Sequence, residues 1–103
     1  MTSTANTNAA ETVAALARLM ETAEKMRNAY FFHAPGNASA RRSYEKRNSV
    51  PVIRWTEGGH AYTAAYNVRC TCSSVYASGE YTKDGQKTTL TAIRNSYKRL
   101  ISA

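Results

Sequence analysis

A chain of 103 residues with 43% hydrophobic side chains is long enough for one domain with its own core, without disulfide or metal staples. Fourteen basic against seven acidic residues give a net charge of +7, which points to a polyanionic partner or an acidic protein surface and says nothing of fold. Few and scattered acids disfavour a carboxylate–metal nuclease or a two-carboxylate hydrolase, and no apolar run reaches the roughly 18 residues of a membrane span.

The charge is uneven along the chain. In residues 1–33, Arg18, Lys25 and Arg27 cancel Glu11, Glu21 and Glu24, so the whole excess follows His33. Residues 1–7 have neither a basic nor an apolar region of a secretory signal and are expected to be a disordered leader. Residues 8–103 are expected to form a single α+β domain. Two cysteines, Cys70 and Cys72, do not make a disulfide framework, and a reducing, cytoplasmic setting is expected.

Asn8, with Glu11 three residues on, reads as a capping box. Leu16, Leu19, Met20, Ala23, Met26 and Tyr30 follow at helical spacing, with Arg18, Glu21, Thr22 and Lys25 opposite. A helix to Tyr30 or beyond, ended by Pro35-Gly36, spans about 35 Å. Its surplus end is a candidate surface for a homodimer. Residues 34–49 read as a loop, with a short helical turn at most. Arg41, Arg42, Lys46 and Arg47 in that loop, against Glu45, suit either a solvated surface or a phosphate-contacting arm.

Residues 50–56 form the first strand candidate, with Pro51 near its start marking an edge. Gly58-Gly59 is a two-residue hairpin turn. It sets Glu57 against His60, Trp55 against Tyr62, Ile53 against Ala64 and Pro51 against Tyr66. Independently, Tyr62, Ala64, Tyr66, Val68, Cys70 and Cys72 alternate with polar or small residues, the pattern of a strand with one buried face. A third strand over residues 75–82, with a bulge at Gly79, follows the weak turn Ser73-Ser74; a second strand turning near Asn67 is the alternative. After a turn at residues 83–86, Thr88 or Thr89 caps a helix with the stripe Leu90, Ile93, Tyr97, Leu100 and Ile101. The order is α-β-β-β-α: a three-stranded antiparallel sheet with the long N-terminal and the C-terminal helix on one face.

Catalytic and metal chemistry find little support. Cys70 and Cys72 supply two soft ligands, but a zinc site needs two more, and His60 lies about 33 Å from Cys70 along an extended strand. Small buried side chains are the better reading of both cysteines. Glu57 and His60 flank the hairpin turn, where a polar closing pair is the simpler role. No glycine-rich phosphate loop occurs. No enzymatic activity, metal or cofactor is expected.

The polar face of the hairpin should carry Val52, Arg54 and Thr56, then Thr63, Asn67, Arg69 and Thr71. Arginines among small polar residues suit phosphate contact. No aromatic lies on this face of the first two strands, so duplex backbone contact is expected over base stacking. The expected site is Arg41, Arg42, Lys46, Arg47, Arg54 and Arg69, with Lys87, Arg94 and Lys98 as outer contacts. The α-β-β-β-α order resembles double-stranded-RNA-binding domains in topology alone. The places of that family's basic second-helix start and first-hairpin loop read Lys87-Thr88-Thr89-Leu90 and Glu57-Gly58-Gly59-His60 here. The expected function is non-enzymatic nucleic-acid binding with low sequence specificity. The alternative is an inhibitor or adaptor of the phage or plasmid type, docking on a host protein or nucleoprotein complex.

Overall fold

The computed structural model describes residues 9–27, 34–71 and 74–102. The elements are α1 (Ala9–Met26), α2 (Ala38–Asn48), β1 (Val50–Glu57), β2 (His60–Cys70), β3 (Val75–Lys83), β4 (Gln86–Lys87) and α3 (Leu90–Ser102). The strands form one antiparallel meander in the order β1-β2-β3-β4. The α+β class and the antiparallel sheet agree with the sequence. The element order does not, because a second helix and a fourth strand are present. The topological likeness to double-stranded-RNA-binding domains falls with that order.

The β1–β2 register matches at Glu57↔His60, Trp55↔Tyr62 and Ile53↔Ala64. Gly58 and Gly59 have φ of 61° and 82°, the positive values a type I′ turn demands at both positions. The register then shifts between Val50 and Ile53, so Val50 pairs with Tyr66 in place of Pro51. Pro51 has no N–H for the ladder, and an extra residue at this point turns Pro51 and Val52 outward while Val50 stays in the core.

β2 runs to Cys70, and Val75 pairs with it directly. The alternative turn near Asn67 does not occur. Nor is β3 bulged at Gly79, which stands in continuous register opposite Tyr66. The glycine has another cause: a Cβ there would collide with the Tyr81 ring, which folds back over it. The stretch taken for a plain turn is a second two-residue hairpin. Asp84 and Gly85 have φ of 53° and 81° and bring Gln86 and Lys87 back against β3.

The core lies between one sheet face and the helices. Ile53, Trp55, Tyr62, Ala64, Tyr66, Val68 and Val75 meet Leu16, Leu19, Ala23 and Met26 of α1 and Ile93 of α3. Thr12 and Thr22 of α1 are buried as well, although the apolar stripe does not include them. In α3, Leu90, Tyr97 and Leu100 pack at the rim, whereas Ile101 is exposed and Ser96 is fully buried. Ser96 accepts a hydrogen bond from Trp55 Nε1 at 2.9 Å and donates one to Glu57 Oε1 at 2.9 Å. Arg99 closes the group with an ion pair to Glu57 at 2.8 Å. Thr89 caps α3 by accepting from the Ala92 N–H.

α1 ends at Met26; the expected cap at Asn8 and the expected run to Tyr30 lie outside the described residues. The expected loop is in fact α2. Asn37 caps it, its side chain accepting from the Ala40 N–H at 2.8 Å. The helix has almost no apolar stripe; Tyr44 packs against the core, and the other anchors are polar. Arg18 of α1 donates to the Arg47 and Ser49 carbonyls at its C-terminal end, where a cation also suits the helix dipole. Lys25 donates to Asn48 Oδ1 at 2.8 Å.

Candidate nucleic-acid interface

β2 outruns β1 by four residues, because β1 begins at Val50 opposite Tyr66. The backbone of Val68 and Cys70 on that side therefore lacks a strand partner. α2 and the residue after it supply the replacement. Ser49 Oγ accepts from the Val68 N–H at 3.0 Å, and Glu45 Oε2 accepts from the Cys70 N–H at 2.7 Å. A basic helix is thus sewn to the end of the sheet through its single acid, covering an edge that would otherwise invite another strand.

That placement brings Arg42 and Lys46, one helical turn apart, beside Arg69 and Asn67 of β2. With Glu45, Ser49 and Val68 they line a shallow groove of about 420 Å³. Glu45 offsets one of the three cations. Its bond to the Cys70 amide fixes it in the groove lining.

The other expected contacts divide. Arg41 is half-buried and donates to the Pro35 carbonyl at 3.2 Å. Arg47 lies over the Tyr44 ring, 5.7 Å from its centroid, and faces the α1–α2 cleft with Arg18 and Lys25. Arg54 and Lys87 are exposed on the sheet face opposite the core, in one cross-strand row through Thr63 and Thr82. Arg94 and Lys98 sit on α3, in the helical layer, away from that face. So Arg42, Lys46 and Arg69 come together, Arg54 and Lys87 share the open face with Arg69, and Arg41, Arg47, Arg94 and Lys98 do not join them.

The open face also holds residues that the sequence did not assign. The β2–β3 register sets Tyr76 opposite Arg69, Ser78 opposite Asn67 and Glu80 opposite Ala65. Tyr76 is 59% exposed. A four-residue connection from Cys70 to Val75 would have located it, but Ser73-Ser74 carries too weak a turn signal to fix that length.

The acid–base groups at the two hairpin turns are tied up in pairs. Glu57 turns away from His60 to Arg99 and Ser96, and these hydrogen bonds, Arg99 foremost, hold its carboxyl below the ordinary range. His60 pairs through Nδ1 with Asp84 at 2.7 Å, which joins the two hairpin turns. The Ala61 N–H, and then His60, keep the Asp84 carboxyl low. Burial, reinforced by the Glu45 carboxylate, pushes the Cys70 thiol up, so it favours the unreactive protonated form. Cys72 lies outside the described residues. Among the described residues no three His, Cys, Asp or Glu side chains converge as a metal cage, and no helix is long and apolar enough to cross a membrane.

Comparison with models of known families, with curated proteins and with solved structures finds no match to this chain.

Proposed function

We propose that this chain is a non-enzymatic protein that binds the phosphate backbone of nucleic acid with low sequence specificity. The observation that carries the reading is the convergence of Arg42, Lys46 and Arg69 on one groove beside a sheet face that no described helix covers. Flexible cations at the rim of a polar, shallow surface suit repeated phosphates better than a compact ligand, which needs an enclosed apolar cavity. Arg54 and Lys87 extend the positive surface across the sheet.

The test is binding against salt. The three groove cations by themselves predict that log K falls with log salt with a slope of about −2 on single strands and about −3 on duplex, and contact with Arg54 and Lys87 steepens it. Arg42→Ala and Lys46→Ala should each flatten the slope by about 0.7 to 0.9, while Lys98→Ala on the far layer should not. Absence of binding to any DNA or RNA at low salt would refute the reading.

A second reading, docking on a host protein, has one observation in its favour. β4 pairs only with Thr82 and Lys83, so no described strand pairs with the outer edge of β3 from Val75 to Gly79. An extended peptide can add to such an edge. A stoichiometric protein complex that survives nuclease and moderate salt would favour it over the first.

A further inference from the structure

Building on the backbone-binding reading, we infer that the ligand is single-stranded, with a base stacked on Tyr76 while adjoining phosphates take Arg69, Arg42 and Lys46. Three observations on the open sheet face carry this. Tyr76 stands directly across from Arg69, in the row that adjoins the groove, with 59% of its surface exposed. An aromatic ring beside a cation cluster, on a face no described helix covers, is the elementary unit of single-strand recognition: the ring takes a base and the cations take the phosphates.

The middle of the face is the second observation. Between the Arg69–Tyr76 row and the Arg54–Thr63–Thr82–Lys87 row lie Asn67, Ser78, Ala65 and Glu80. Asn67 Nδ2 is 3.4 Å from Glu80 Oε2. A duplex laid across the face would press its phosphates on the Glu80 carboxylate. A single strand with its bases turned inward avoids this, because carboxylate and amide groups hydrogen-bond to base edges. Cations flanking an acid-containing middle therefore favour bases over Tyr76 and the centre of the face, with phosphates on the cations beside them.

The third observation is length. From Arg69 to Thr63 along β2 is six residues, about 20 Å at roughly 3.3 Å per residue. That separation of the two basic rows suits a short extended strand.

The experiment compares binding of a labelled oligothymidylate, an oligouridylate, an abasic strand of equal length and a duplex, at low salt, to wild type, Tyr76→Ala and Tyr76→Phe. The inference expects single strands to bind more tightly than duplex. It expects Tyr76→Ala to weaken the thymidylate and uridylate about tenfold, the abasic strand and duplex being unaffected, and Tyr76→Phe to keep most of the affinity. Duplex binding equal to or tighter than single-strand binding, or unchanged thymidylate affinity in Tyr76→Ala, would overturn the inference and leave the backbone reading standing. If wild type binds none of the four, the backbone reading falls with it. Tyr76 is an exposed strand residue, so unchanged circular dichroism of the variants is expected and guards against a folding artefact.

Discussion

Replacing Ser96 by alanine removes one oxygen from the most polar spot in the core. Ser96 is 0% exposed and Trp55 is 8% exposed. The indole N–H is a donor only, and Ser96 Oγ is its acceptor at 2.9 Å. In Ser96→Ala that donor is left buried without a partner, a cost of about 1–3 kcal/mol. Taking about 2 kcal/mol, and a urea m-value of about 2 kcal/mol/M, the midpoint should fall by about 1 M. The melting temperature should fall by about 8–16 °C. Trp55 is the chain's single tryptophan, so its fluorescence follows the seating of α3, with far-UV circular dichroism as an independent probe. The same substitution in a Trp55→Phe background should cost much less, because no orphaned donor remains. A midpoint within about 0.2 M of wild type at unchanged m, or an equal cost in the two backgrounds, would refute the assignment of Ser96 as the indole's acceptor.

Two further predictions concern the sheet. Gly79→Ala must displace the Tyr81 ring from the strand it covers, so it should destabilise by about 1–3 kcal/mol in urea titration although alanine favours extended structure more than glycine does. Glu57 and Asp84 both have folded pKa values below their ordinary ones. The stability they contribute is therefore complete above the unfolded values, near about pH 4, and is lost as pH falls through the folded values. Thermal melts from pH 7 to 3 should show that acid loss, and Glu57→Gln with Asp84→Asn should flatten it while lowering stability at pH 7.

The sequence and the structure agree where two local rules coincide. Gly58-Gly59 can close a hairpin in one way, and the alternation from Tyr62 to Cys70 demands the same face, so Trp55 against Tyr62 was legible before any coordinates. α2 was not, because hydrophobic periodicity is the signal by which helices are read and Ala38–Asn48 has almost none. What holds it is a single packed ring, Tyr44, with an Asn37 cap, a carboxylate on the Cys70 amide, and Arg18 and Lys25 reaching across from α1. The Asn37 cap signal was present but had no apolar stripe behind it. β4 is too short to show a pattern, although Asp84-Gly85 is itself a hairpin dipeptide. Of the candidate site, Arg54 and Arg69 could be placed from the β1–β2 hairpin alone. Arg42 and Lys46 could be separated from Arg41 and Arg47 only once their segment was known to be helical, since helix geometry sends these neighbours to different flanks.

The helix that carries Arg42 and Lys46 is also the piece that completes β2, through Glu45 and Ser49. Occupancy and folding are therefore thermodynamically linked at this corner. A polyanion seated against α2 would draw population away from openings in which the helix lifts and the Val68 and Cys70 amides meet water, by the mass action that any native-state ligand exerts. In the unliganded chain these two amides would exchange through lifting of α2, and their slowing would report, without any label on the ligand, that the groove had been filled.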